Sequence, residues 1–246
     1  MNTPHLTRLA EFKALLQGYQ ISPAAQRVLS ETPLVLLLAS TATGRNTIIS
    51  QILQTGRYHF IVSDTTRPPR VNDGQPEQNG IDYFFRTEDE MLQQIKDGRL
   101  IEAEIIHGQQ VSGTSIRELE KAQAQHKTAI RDIDLGGSLA IASVKKDAKL
   151  IFIVPPSFKE WLRRITTRNN PSPTEIKRRL YTAARIFRTV LSDDRFQYVV
   201  NDDLDQAVSD VDAIARTGQS DPAKQQQARE ITQQLLADTQ AYLQQN

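Results

Sequence analysis

The sequence predicts an α/β fold, a three-layer α/β/α arrangement around a central, mostly parallel sheet. Three observations carry this. Short apolar runs (Leu34 to Leu38, His59 to Val62, Leu100 to Ile106, Ala129 to Ile133, Leu150 to Val154, Phe196 to Val200) alternate with helical patterns, as strands joined by crossover helices would. Helix starts are marked between them: Thr87 with Glu90, Ser115 with Glu118 and Ser157 with Glu160 each show the S/T-x-x-E spacing of a capping box, in which two unpaired backbone N–H groups are satisfied reciprocally. The first run, "LVLLLASTATGRNTII" (Leu34 to Ile49), passes from apolar strand through a tight turn into a helix. Such a turn presents consecutive backbone N–H groups and a helix N-terminus to an anion.

With 246 residues, 39% hydrophobic and 24% charged, the chain suits one globular core with small appendages. A formal net charge of +1 argues against a protein whose main business is coating nucleic acid or anionic lipid. The absence of cysteine excludes disulfides and thiolate metal sites. The start "MNTPHLTRLAEFKALL" has no apolar core of signal-peptide length, and no window approaches the roughly 18 apolar residues of a membrane span. The expectation is a soluble, cytoplasmic protein with no membrane partner.

Two appendages flank the core. Leu6, Leu9, Phe12, Leu15, Leu16 and Tyr19 recur at helical spacing, so an amphipathic helix is expected within an extension over residues 1–30. After "TGQSDPAKQ", Asp221 and Pro222 resemble an N-cap and N1 pair, and Ile231, Leu235 and Leu243 follow in a Gln-rich context, which predicts a C-terminal helix over 218–246. These helices either complete the surface of the core or form a homodimer contact. The segment "PRVNDGQPEQNG" (Pro69 to Gly80) is rich in turn formers and reads as a loop.

The phosphate-loop pattern G-x-x-x-x-G-K-[ST] places a lysine at the β and γ phosphates and a hydroxyl on Mg²⁺. Here Ala39 takes the first glycine place, Gly44 the second, Arg45 the lysine place and Asn46, followed by Thr47, the hydroxyl place. Thr41, Ala42, Thr43, Gly44, Arg45, Asn46 and Thr47 are the candidate loop. A strand, turn and helix with one glycine is also an ordinary α/β connection, so the context decides. In "VSDTTRPPR" (Val62 to Arg70), Arg67 and Arg70 sit three residues apart beside hydroxyls; guanidinium forks match phosphate oxygens, and Pro68 and Pro69 stiffen the segment.

That segment is followed by "EQNGIDYFF", "LIEAEIIHGQQVSGTS", "AIRDIDLGG" and "VNDDLDQA", and the series in this order resembles the guanylate kinase family from about Leu34 to Ala213. The resemblance implies a P-loop NTPase-type fold with a guanylate-kinase-like domain at 31–217. Within it fall core segments 31–62, 125–160 and 190–217, a small nucleotide-monophosphate-binding subdomain at 63–124 and a helical lid at 161–189. It further implies that Arg67, Arg70 and Tyr83 grip the acceptor phosphate, that Ser63, Glu102, Thr114 and Asp134 read guanine, and that Glu77 falls on an acidic position after a four-residue insertion. Asn201 falls on the adenine side. The family's second phosphate-gripping tyrosine aligns with Ser112, and "HGQQVSG" is one residue longer, which bears on acceptor identity.

From Trp161 to Val190 eight Lys or Arg face one acid, Glu175, and "RNNPSPTE" interrupts them with Pro171 and Pro173. Two basic helices flanking a turn suit a lid that closes on phosphates; solvated helix faces are the plainer reading. The resemblance places catalytic lid arginines at Arg164, Arg168 and Arg179, alongside Arg45 in the loop. Asn46, Thr47 and Asp132 are the candidate groups for Mg²⁺. The implied activity is transfer of the ATP γ-phosphoryl to GMP or dGMP, with ATP and the monophosphate as partners. The alternatives are a noncatalytic binding module of the same fold, which the altered loop favours, and another P-loop phosphotransferase or nucleic-acid-processing factor with a different acceptor. No aromatic-interleaved basic stretch of the RNA-binding kind occurs.

Overall fold

The computed structural model describes residues 5–72, 74–167 and 171–245. In chain order the first half comprises α1 (Leu9–Gln17), α2 (Pro23–Glu31), β1 (Leu34–Ala39), α3 (Arg45–Leu53), β2 (Tyr58–Phe60), β3 (Asp64–Thr65), β4 (Val71–Asn72), β5 (Gln75–Pro76), β6 (Phe84–Phe85), α4 (Glu88–Lys96), β7 (Leu100–Ile106) and β8 (Gln110–Ser115). The second half comprises α5 (Ile116–Ala124), β9 (Thr128–Ile133), α6 (Leu135–Val144), β10 (Lys149–Val154), α7 (Phe158–Thr167), α8 (Pro173–Leu191), β11 (Phe196–Val200), α9 (Leu204–Thr217) and α10 (Pro222–Gln245).

The central parallel sheet has five strands in the order β11-β10-β1-β9-β2. β1 pairs with β10 from Val35–Lys149 to Ala39–Ile153, and β10 with β11 from Leu150–Phe196 to Val154–Val200. Five of the six expected runs are in this sheet. The sixth, Leu100 to Ile106, is strand β7 of a second sheet, order β6-β3-β8-β7, where it runs antiparallel to β8. The cause is the three-residue connection 107–109, in which His107 and Gly108 are at positive φ (52° and 70°) and the Gln109 N–H donates to the Ile106 carbonyl at 3.0 Å. A turn of that hand joins antiparallel strands, not a crossover.

Of the three expected capping boxes, Thr87 and Glu90 form the full reciprocal pair. Ser157 accepts from the Glu160 N–H, but the Glu160 carboxylate turns to Arg163 and Arg164. Ser115 accepts from the Arg117 N–H, while Glu118 is buried and bonded to His59 and Lys121. Side chains thus outcompete the backbone for both carboxylates, the helix's own arginines for Glu160 and the i+3 lysine with His59 for Glu118. The loop expected over Pro69 to Gly80 contains a small hairpin, β4 with β5.

The chain forms two compact units. One draws its described residues from Met1–Pro33, Arg57–Arg131 and Ser143–Lys145, the other from Leu34–Gly56, Asp132–Ala142 and Lys146–Asn246. In the first, the predicted amphipathic helix is shorter than its pattern, and its Phe12 packs with Leu6 against Met91, Leu92, Ile95, Leu100 and Val111. A second N-terminal helix, α2, starts at an unread signal, Ser22 capping the Ala25 N–H with Pro23 at N1.

In the second unit, Phe152, Trp161, Phe187 and Tyr198 meet edge-on at centroid distances of 5.5 to 6.1 Å. α10 packs on α8 and β11 and buries Ala228, Thr232, Leu235 and Thr239. The Gln225 amide accepts from the Tyr198 N–H at 2.8 Å and donates to the Tyr198 carbonyl at 2.7 Å. A side-chain amide therefore stands in for a neighbouring strand on β11, satisfying edge groups that would otherwise invite pairing. For this helix, completing the surface of its own chain is the reading the packing favours. No helix among the described residues is long and apolar enough to cross a membrane.

Candidate active site

In the second unit, β1 delivers the chain into the turn 40–44 and α3 begins at Arg45. Ala39 is absent from the residues at positive φ, so its replacement of a glycine costs nothing. The strained place is Ala42, at φ 62°, where a side chain costs about 1–2 kcal/mol relative to the right-handed region. Gly44 has φ 87°, and a Cβ there would lie 2.2 Å from Asn201 Nδ2. Only glycine fits, on both counts. Asn201 donates Nδ2 to the Thr43 carbonyl at 2.6 Å, and the Trp161 indole donates to the Thr41 carbonyl at 2.8 Å. The loop is thus held from β11 and from α7.

Arg45 extends its guanidinium to the end of β9: Nη2 lies 2.7 Å from Asp132 Oδ2 and Nη1 3.3 Å from the Ile133 carbonyl. Asn46 and Thr47 are exposed on the first turn of α3. A cavity of about 450 Å³ is lined by Ala42, Gly44, Thr47, Arg163, Arg164, Thr167, Asn201, Asp202 and Leu204. Arg164 and Asn201, both predicted site residues, therefore meet the loop in one place. Arg179 is not part of that lining, and Arg168 lies outside the described residues.

The two basic helices are less positive than their composition suggests. Glu160 pairs with Arg163 and Arg164, and Glu175 with Arg178 and Arg179, at 2.7 to 2.9 Å. Hydrogen bonds from those arginines, then burial against them and Coulomb attraction for them, leave each carboxylate at a pKa of about 2. Glu160 lies one turn before Arg164 and Glu175 one turn before Arg179, so these two predicted lid arginines are oriented along their own helices.

In the first unit the acceptor candidates fall into two groups. Arg67 is buried and held by Glu77 in a two-pronged pair, Nη1 to Oε2 at 2.5 Å and Nη2 to Oε1 at 2.9 Å. Tyr83 stacks on it with the guanidinium carbon 4.6 Å from the ring centre. Glu77 Oε2 also accepts from the Arg70 N–H at 2.8 Å, while Arg70 itself is exposed. Ser112 donates to Thr65 at 3.0 Å.

The second group sits where β7 faces β8. Thr114 donates to Glu102 Oε1 at 2.5 Å, Arg131 Nη1 donates to the same oxygen at 2.9 Å, and Arg131 Nη2 donates to Ser63 Oγ at 3.0 Å. Three predicted base readers are so brought together by Arg131, a residue the sequence reading passed over. Asp134, the fourth, belongs to the other unit, where its Oδ1 accepts from the Gly137 N–H at 2.9 Å and caps the start of α6.

Trp161 and Tyr19 also escaped sequence reasoning. Tyr19 Oη donates to the Leu100 carbonyl at 2.5 Å and accepts from the Leu100 N–H at 2.9 Å, at the register shift between Leu100 and Glu102. The signal for both was chemical: a part-buried tyrosine or a buried lone tryptophan needs a partner for its polar atom.

No group of three or more His, Cys, Asp or Glu suited to a metal occurs among the described residues. The candidate metal groups are the neutral Asn46 and Thr47, and Asp132, which is bonded to Arg45. That sparse, hard-oxygen set fits Mg²⁺, which is bound chiefly by phosphates and water with few protein ligands.

A parallel sheet, a phosphate-type loop opening a helix, and arginine-rich flanking helices define a P-loop protein of the phosphotransferase class. The family model for guanylate kinase matches residues 30–217. The guanylate kinase of Corynebacterium efficiens is 34% identical over 184 residues, 74% of this chain and 93% of that protein. That of Synechococcus sp. (strain JA-3-3Ab) is 36% identical over 183 residues, 74% of this chain and 81% of that protein. A crystal structure of guanylate kinase from Anaplasma phagocytophilum superposes with a TM-score of 0.56 at 25% identity, covering 82% of this chain and 94% of that one. The chain belongs to the guanylate kinase family.

Proposed function

We infer that the protein is an ATP:GMP phosphotransferase. An oxygen of the GMP phosphate attacks the γ-phosphorus of ATP in line, the bond to the β–γ bridging oxygen breaks, and GDP and ADP leave. No protein nucleophile is needed, because the acceptor oxygen is already anionic; the protein contributes positioning and charge neutralisation. The observation that carries this reading is the retention in one unit of most of the acceptor set, with Ser63, Glu102 and Thr114 in one network and Arg67 beside Tyr83.

In this reading Arg67 and Arg70 take the GMP phosphate, with Tyr83 on the same side. Ser63, Glu102, Thr114 and Asp134 take guanine, and Ser112 leaves a place that the family fills with a larger side chain. Residues 41–47 cradle the ATP phosphates, with Arg45 as the cation of the loop and Arg164, Arg168 and Arg179 neutralising charge from the lid. Asn201 borders the adenine. Asn46, Thr47 and Asp132 would hold Mg²⁺ when it enters with ATP, and the ion would supply charge neutralisation at the donor phosphates. The site of action is the cytoplasm.

The alternative is a noncatalytic binding module, whose motive is the altered loop with its Arg45 charge tied to Asp132. Calorimetry with GMP and with an ATP analogue separately decides between them. The kinase binds both; a module with a silent donor loop binds GMP alone or neither.

A further inference from the structure

We propose that Arg131 is a positioning residue for base recognition, which sets the polarity of the acceptor pocket toward guanine by fixing the Glu102 carboxylate and the Ser63 hydroxyl. The inference rests on the reading that Ser63, Glu102 and Thr114 face the acceptor base. Arg131 is 8% exposed, on a strand whose Ala129 and Ile130 are fully buried. Its Nε is buried with no hydrogen-bond partner among the described residues. A permanently charged side chain kept in such a place, with one donor unsatisfied, is costly. What it holds in return is the pair of groups that meet the base.

The bonds fix which way each group faces. Nη2 donates to Ser63 Oγ, so a lone pair of that oxygen is occupied and the hydroxyl hydrogen is free to point outward as a donor. Thr114 and Arg131 Nη1 both donate to Glu102 Oε1, which leaves Oε2 as the outward acceptor. The pocket thus offers one donor beside one acceptor. Guanine presents the complement, the O6 acceptor beside the N1–H and 2-amino donors. Adenine presents the reverse, a 6-amino donor beside the N1 acceptor. Hypoxanthine lacks the 2-amino group.

The test is the dissociation constants of GMP, IMP, AMP and a non-hydrolysable ATP analogue for the full chain and for Arg131→Met and Arg131→Lys, with thermal melting to follow folding. The full chain prefers GMP. Arg131→Met weakens GMP about tenfold or more, narrows the GMP to IMP ratio and leaves the ATP analogue within about twofold. Arg131→Lys recovers part of the GMP affinity, since its ammonium reaches one partner but cannot bridge both. If the Met variant does not melt cooperatively, the Lys variant carries the test through its GMP to IMP ratio. A folded variant with the ratio of the full chain overturns the proposal, as does an equal loss for GMP, IMP and the ATP analogue, which marks a merely structural arginine. A full chain with no preference for GMP over IMP and AMP overturns the base-reading assignment itself.

Discussion

Arg45 Nη2 lies 2.7 Å from Asp132 Oδ2, so the cation at the lysine place of the loop is tied to the end of β9. An arginine does this where a lysine would not, because its planar fork serves the carboxylate and the Ile133 carbonyl together. In the proposed reaction this cation stabilises the charge that develops on the transferred phosphoryl. Arg45→Met is expected to lower kcat by about 10²–10³-fold, with GMP affinity unchanged. Arg45→Lys, which keeps the charge and releases Asp132, is expected to keep far more of the activity. Steady-state kinetics with both substrates varied checks this.

Arg67 is held by Glu77 and stacked by Tyr83, and a planar fork offers paired, parallel N–H donors where an ammonium offers only single ones. Arg67→Lys should raise the GMP KM about tenfold while the ATP KM stays put. Guanosine, which lacks the phosphate, should compete equally well against both proteins. Equal weakening of guanosine would mean that the arginine supports the fold and not the phosphate.

Much of this was legible in the sequence because it is local. The phosphate-type loop, the Pro-interrupted pair α7 and α8, and the Asp221–Pro222 start of α10 are patterns a few residues long. What the sequence hid is long-range. Arg131 meets Ser63 across 68 residues, Tyr19 meets Leu100 across 81, and Trp161 meets Thr41 across 120. Nothing local in "AIRDID" distinguishes an arginine that bridges two site residues from one on a strand end. Glu118 misled for the same reason: its spacing from Ser115 fits a capping box, but His59 and Lys121 claim its carboxylate.

Tyr19 joins the N-terminal appendage to the strand carrying Glu102. Tyr19→Phe leaves the N–H and carbonyl of fully buried Leu100 without their partner, a loss of about 1–3 kcal/mol. The urea midpoint should fall accordingly, and the GMP KM should rise more than the ATP KM. An unchanged midpoint would show that water replaces the hydroxyl.

Glu118 predicts the behaviour in acid. Burial pushes its carboxyl up, but hydrogen bonds from His59 and Lys121 and their charges outweigh burial and bring the pKa from 4.5 to about 2. A folded-state pKa below the unfolded one means stability that is complete above pH 4.5 and lost as the pH falls toward about 2. Urea unfolding at stepped pH through that window should show a steep decline for the full chain and a shallower one for Glu118→Gln.

The central claim is that this chain, with its altered loop, turns over. The direct measurement is ADP formation by the purified protein with ATP and Mg²⁺ across GMP, dGMP, IMP, AMP and UMP. The expected result is ADP formation that depends on a guanine monophosphate and yields the diphosphate in equal amount. Binding of both GMP and ATP without any such turnover would contradict it.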